Sequence, residues 1–201
     1  MSRVYAIVDG ANFTSLSPLR HFVSELLAGG VTWIQYRNKS GSSRDILSCS
    51  REIRRIAGNT AVLIMNDRPD LCMAADFDGV HLGQEDLEVE SARQILGPKK
   101  VIGISTHNPE QLAAASATSA DYIAIGPVFA TLSKLNPDPV IGLDFVRSAR
   151  EKTTKPLVAI GGITRENCRS VIDSGAHSVA VIRELLESPR ASAQELLRRL
   201  A

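Results

Sequence analysis

Val4-Tyr5-Ala6-Ile7-Val8-Asp9-Gly10-Ala11-Asn12 opens the chain with a short apolar, β-branched run that ends in a turn. The run is continuous rather than alternating, as expected of a strand buried on both faces, and such strands belong to parallel sheets covered by helices. An open doubly wound sheet would carry a glycine-rich phosphate loop directly after this strand. Asp9-Gly10-Ala11-Asn12 has no such fingerprint, which leaves the closed parallel barrel as the favoured alternative.

The same unit recurs along the chain. Apolar runs at Thr32–Tyr36, Ala61–Met65, Gly79–Leu82, Val101–Ile104, Tyr122–Ile125, Leu157–Ile160 and Ser178–Val181 bring the total to eight. Between them the spacing predicts helices over Pro18–Ala28 (capped by Ser17), Ser43–Ile56, Pro69–Ala75, Glu88–Leu96, Pro109–Ala117 (capped by Asn108), Leu143–Lys152, Arg165–Ser174 (capped by Thr164) and Ala191–Leu200. Eight strand–helix units with no linker or low-complexity tract predict an α/β fold, a (β/α)₈ TIM barrel, as one domain over residues 1–201.

Composition narrows the function. The 201 residues carry 23 Lys plus Arg against 22 Asp plus Glu, a net charge of +1. Nucleic-acid and membrane-surface proteins usually show a basic excess, so neither partner is expected. No apolar run approaches the roughly 20 residues of a membrane span. The chain enters its first strand without an apolar signal segment, and a cytoplasmic location is expected. Cys49, Cys72 and Cys168 are scattered and odd in number, the pattern of reduced thiols rather than a disulfide framework or zinc site. Oligomeric state is open, with a homo-oligomer among the alternatives.

Barrel active sites lie at the C-terminal ends of the strands. After the second run comes Gln35-x-Arg37-x-Lys39, an amide and two cations on one side of an extended segment. Asn66-Asp67 and Gly83-Gln84-Glu85-Asp86 follow the third and fourth runs, so adjacent strand ends each deliver a carboxylate. Asp67 and Asp86 could hold Mg²⁺, which takes one or two carboxylates plus phosphate oxygens and water; alternatively each caps the next helix. Ser105 and Thr106 follow the fifth run. A long proline-bearing loop from Ala130 to Ile141 follows the sixth, offering Thr131, Ser133 and Lys134 to an anion, and is expected to close over bound substrates. Gly161-Gly162 and Ile182-Arg183 end the seventh and eighth, where barrels often bind phosphate through backbone amides. Two anion sites in one mouth, one of them magnesium-dependent, imply two phosphorylated small-molecule substrates.

These residues resemble a known family. Gln35-x-Arg37-x-Lys39, Met65-Asn66-Asp67-Arg68, Asp78-Gly79-Val80-His81-Leu82-Gly83-Gln84-Glu85-Asp86, Gly103-Ile104-Ser105-Thr106-His107, Gly126-Pro127-Val128-Phe129-x-Thr131 and Ala159-Ile160-Gly161-Gly162-Ile163-Thr164 resemble, in order over nearly the whole chain, the motifs of the thiamine phosphate synthase (thiamine-phosphate pyrophosphorylase) family. The resemblance implies a transferase of thiamine biosynthesis that couples 4-amino-5-hydroxymethyl-2-methylpyrimidine pyrophosphate to thiazole phosphate. The products are thiamine phosphate and pyrophosphate, formed by a Mg²⁺-assisted dissociative substitution. It implies catalytic roles for Arg37, Lys39, Lys134 and Ser105. Arg37, Lys39, Asn66 and Lys134 would hold the pyrophosphate, and Asp67 and Asp86 the Mg²⁺. Gln35 and Ser105 would address the pyrimidine, while Thr131, Ser133, Gly162, Ile182 and Arg183 would take the thiazole phosphate. Ser133 stands where the family usually has threonine, Arg183 where a small residue is common, and Asp9-Gly10 replaces a commoner Thr-Asp-Arg. A thiazole tautomerase resembles the same motifs but needs a histidine near Pro127. A catalytically silent ligand-binding relative would show gaps in the charged set, and there are none.

Overall fold

In a computed structural model, which describes residues 1–131 and 138–201, the eight runs form a closed, all-parallel barrel. The strands are β1 (Val4–Asp9), β2 (Trp33–Arg37), β3 (Val62–Asn66), β4 (Gly79–Leu82), β5 (Val101–Thr106), β6 (Tyr122–Ile125), β7 (Leu157–Ile160) and β8 (Ser178–Val181). Each pairs with its sequence neighbours, and β8 closes on β1 through Tyr5 and Ala180. The helices between them are α1 (Leu16–Ala28), α2 (Ser43–Ala57), α3 (Pro69–Ala74), α4 (Val89–Leu96), α5 (Pro109–Ser116), α6 (Gly142–Lys152), α7 (Cys168–Asp173) and α8 (Pro189–Leu200).

Alternation within each strand separates two cores. Val4, Ala6 and Val8 of β1 face outward and pack in one buried layer with helix residues such as Val23, Ile53 and Leu196. Tyr5 and Ile7 face inward with Ile64, Tyr122, Ala124, Val158 and Ala180 and fill the barrel axis. Both faces are apolar, which is why the strands read as continuous runs.

Helix starts coincide with expectation at α2, α3 and α5 and depart by one to three residues at α1, α4, α6, α7 and α8. α1 begins at Leu16 after Ser15, so Pro18 falls inside the first turn, where a missing N–H breaks no helical bond. α2 is capped by Ser42, whose hydroxyl accepts from the Asp45 amide at 3.2 Å. Asn108 caps α5 as expected, accepting from Gln111 N at 2.9 Å. α7 starts three residues later than its spacing predicted. Asn167 accepts from Thr164 N and donates to Gly162 O, holding residues 162–167 in a turn instead of a helix.

Ser133 and Lys134 lie outside the described residues, as does the middle of the loop expected to close. The ends of that loop are tied down by backbone hydrogen bonds. Val128 N and Phe129 N donate to Ile160 O and Gly161 O, and Ile141 N and Gly142 N donate to Pro127 O and Val128 O.

Candidate active site

The C-terminal strand ends enclose a cavity of about 1170 Å³. Gln35, Arg37, Lys39, Asn66, Asp67, Asp86, Ser105, Thr131, Gly162, Ile182 and Arg183 all line it, which is every candidate among the described residues.

On one side is the charged set. β2 carries Gln35 and Arg37 inward, and Lys39 follows just beyond the strand. Arg37 is ion-paired with Asp9, its register partner on β1. Lys39 is ion-paired with Asp67. Neither Asp67 nor Asp86 caps a helix: Arg68 and Glu88 occupy those positions. Asp67 instead takes a left-handed backbone conformation, φ 63°, uncommon for any residue with a side chain. Burial, reinforced by the neighbouring Asp86 carboxylate and opposed by Lys39, raises the Asp67 pKa. Asp86 accepts from Gly83 N at 2.7 Å. Two acceptor-only groups crowded together in this way need a proton, an ammonium or a cation between them. No cluster of three or more His, Cys, Asp or Glu side chains suited to a metal exists among the described residues. A two-carboxylate seat completed by substrate oxygens is the kind Mg²⁺ accepts, and the donor set fits it.

Across the cavity the chain turns at Gly161 and Gly162, with φ of 101° and 61°. A Cβ on Gly162 would run into the Ala130 carbonyl, and one on Gly161 into Pro127. These glycines therefore let the β6 and β7 loops approach each other, and a larger residue at Gly162 would push the Ala130 loop aside rather than simply fill the ligand space. None of the backbone hydrogen bonds among the described residues uses the N–H of Gly162 or Ile163. Arg183 begins a short 3₁₀ turn, Arg183–Leu185, and its side chain is exposed at the rim.

Beneath the mouth lies a polar chain that strand-end reading missed. Gln35 Nε2 donates to Tyr5 Oη at 3.0 Å, and Tyr5 Oη meets Tyr122 Oη at 2.9 Å. Tyr122 Oη meets His81 Nδ1 at 2.9 Å, and His81 Nε2 meets Ser105 Oγ at 2.8 Å. Burial pushes the His81 pKa down to about 4 and raises both phenols, so all three rings are neutral near pH 7. Asp9 was missed too. The signal for both was strand parity: Tyr5 and Asp9 share the inward face of β1 with Ile7.

A family model described as thiamine monophosphate synthase matches residues 4–185. The chain is 60% identical over 200 residues to a thiamine-phosphate synthase of Koribacter versatilis, covering 98% of this chain and 95% of that protein. It is 39% identical over 198 residues to one from Shouchella clausii, covering 97% and 94%. Among solved structures, thiamine phosphate pyrophosphorylase from Pyrococcus furiosus superimposes with a TM-score of 0.86 at 33% identity, covering 98% of this chain and 95% of that one. With its barrel and cavity residues in the same order as the motifs, the chain belongs to the thiamine monophosphate synthase family.

Proposed function

We propose that the chain joins 4-amino-5-hydroxymethyl-2-methylpyrimidine pyrophosphate to thiazole phosphate, releasing pyrophosphate and forming thiamine phosphate. The observation that carries this reading is the division of one cavity into a cationic and carboxylate side, over β2 to β4, and a glycine-amide side, over β7 and β8. That division suits two anions of different size carried by two molecules.

Arg37, Lys39 and Asn66 bind the pyrophosphate, with Lys134 as their partner from the strand-six loop. Arg37 offers a fork of N–H donors and Lys39 a compact charge. Asp67 and Asp86 would hold Mg²⁺, which when bound supplies positive charge to the leaving oxygens. Lys39 then turns from Asp67 toward phosphate. The bond from the pyrimidine methylene carbon to the pyrophosphate oxygen breaks, and its electron pair leaves with the oxygen. The positive charge left on carbon is shared with the aminopyrimidine ring. The thiazole nitrogen donates its lone pair to that carbon and forms the new C–N bond. No protein nucleophile is needed; the residues hold both rings in line and stabilise charge. Thr131, Ser133, Ile182 and the Gly162 and Arg183 amides seat the thiazole phosphate, and Ser105 and Gln35 orient the pyrimidine.

The test is to incubate the purified protein with both substrates and Mg²⁺ and to measure thiamine phosphate and pyrophosphate. Equimolar formation of the two, abolished by EDTA and restored by excess Mg²⁺, is expected. Absence of thiamine phosphate from a folded preparation rejects the reading, and EDTA-resistant turnover rejects the metal role.

A further inference from the structure

With the Gln35 amide nitrogen turned to Tyr5, the hydrogen-bonded chain through the barrel axis takes one direction. Gln35 Nε2 can only donate, so Tyr5 Oη accepts from it and has its own proton left to give. The remaining partner of Tyr5 Oη is Tyr122 Oη, which therefore accepts. Tyr122 must then donate to His81 Nδ1. A neutral imidazole that accepts at Nδ1 carries its proton on Nε2, and it gives that proton to Ser105 Oγ. Among the described residues the Ser105 hydroxyl meets only His81, which leaves its proton to give, and Ser105 lines the cavity. At the other end the Gln35 carbonyl is likewise left as an acceptor, and Gln35 lines the same cavity.

The backbone is built to make this path. His81 on β4, Gly103 on β5 and Tyr122 on β6 are successive register partners. Tyr122 reaches His81 two strands away because Gly103 has no side chain; a Cβ there would overlap the Tyr122 ring. The Tyr122 and His81 rings then stack with centroids 5.6 Å apart and planes inclined by 20°.

We propose that Tyr5, Tyr122 and His81 are positioning residues that fix this polarity, so that Ser105 offers an O–H donor and Gln35 a carbonyl acceptor to the substrate ring. The pair matches an aminopyrimidine, whose amino group donates and whose ring nitrogen accepts. A 4-oxo pyrimidine has the opposite pattern, with a carbonyl acceptor beside a ring N–H. To match it, the Gln35 amide would have to turn its nitrogen to the ring and Ser105 Oγ would have to accept rather than donate, against the polarity that the chain sets. The inference rests on the assignment of the pyrimidine to Ser105 and Gln35, but the polarity itself is a property of the unliganded protein.

Two measurements separate these layers. Long-range ¹H–¹⁵N correlation spectra of ¹⁵N-histidine-labelled protein, without ligand, report the tautomer of each ring. His81 is expected as the Nε2–H form. His107, whose Nδ1 lies 2.6 Å from Gly126 O and must donate to it, is expected to carry a proton on Nδ1 and serves as the internal contrast. An Nδ1–H form at His81 means that the chain runs the other way and overturns the proposal. Tyr122→Phe keeps the ring in the Gly103 gap and removes only the link; its His81 should lose the single fixed tautomer. The second measurement compares inhibition by 4-amino- and 4-oxo-5-hydroxymethyl-2-methylpyrimidine pyrophosphate. Wild type should prefer the amino form by at least about a hundredfold, and Tyr122→Phe should narrow that preference by about tenfold, as one misaligned buried hydrogen bond would. Undiminished preference in Tyr122→Phe overturns the positioning role. If His81 shows the Nε2–H form and neither pyrimidine binds, the substrate assignment is what fails, and the selectivity claim falls with it.

Discussion

Asp9 and Arg37 face each other across the β1–β2 register and form an ion pair at the lip of the cavity, with Arg37 about three-quarters buried. The second Asp9 oxygen accepts from Ala11 N at 3.1 Å, which holds the carboxylate in place. An arginine so anchored presents its remaining N–H groups in a fixed direction and spends less entropy when it binds an anion. Asp9→Asn keeps the Ala11 bond and removes the charge that orients Arg37. It should raise the KM for the pyrimidine pyrophosphate by about tenfold, roughly the loss of one charge-assisted bond, in a protein that still melts cooperatively but at a lower temperature. Unchanged KM would reduce the pair to a structural contact.

The fate of Asp9 shows what was readable in the sequence and what was not. Continuous apolar runs located all eight strands to within two residues, because burial on both faces leaves no other composition available. The strand ends then pointed to the cavity, since a parallel barrel leaves polar residues at one mouth. Asp9 looked like a mere departure from a familiar loop until its register with Arg37 was known. Tyr5 and Tyr122 passed as apolar strand members, although their hydroxyls are the middle of the axial chain. Pairing of Tyr122 with His81 across Gly103 depends on register, which local pattern does not encode. Helix starts slipped where several short polar residues crowd the first turn, as Ser15 and Ser17 do at the start of α1.

Gly162 and Arg183 separate shape from charge on the thiazole side. Gly162 sits at positive φ with no room toward Ala130 O, so Gly162→Ala should cost about 1–2 kcal/mol of stability and raise the KM for thiazole phosphate. Arg183 is exposed at the rim, and Arg183→Ala should change that KM by less than about threefold, since an exposed charge contributes little. A tenfold or greater rise on Arg183→Ala in steady-state kinetics would show that the guanidinium itself holds the phosphate.

Lys134 follows from the sequence alone. If it meets the leaving pyrophosphate, as proposed, its charge matters most as the C–O bond breaks. Lys134→Ala should then lower kcat by about a hundredfold or more, in line with loss of one electrostatic stabiliser, while the KM for thiazole phosphate moves little. The reverse pattern, normal kcat with weak thiazole binding, would assign Lys134 to the other phosphate.

Asp67 gives the metal-free protein a pH dependence that Mg²⁺ should invert. Its folded pKa is raised above the ordinary value of 3.8, first by burial and then by Asp86. A raised carboxylate favours the folded state only while protonated. Its contribution is therefore complete below the unfolded pKa and disappears as pH climbs through the folded one. Over that window, which opens at the unfolded value and extends upward, the metal-free protein should lose stability with rising pH. Mg²⁺ needs the ionised pair, so the stabilisation it confers should grow over the same window and then level off. At a hundredfold excess over its dissociation constant, linkage gives about 2.7 kcal/mol, or roughly 5–10 °C in Tm for a chain of this size. Asp67→Asn is a suitable control, because asparagine also tolerates the left-handed backbone at this position. The variant should flatten the metal-free profile and abolish the Mg²⁺ shift together in thermal melts taken between pH 4 and pH 8. A Mg²⁺ shift that survives in Asp67→Asn would put the cation elsewhere, and a metal-free profile that rises with pH through the window in wild type but not in the variant would mean that the Lys39 pairing outweighs burial and the Asp86 charge.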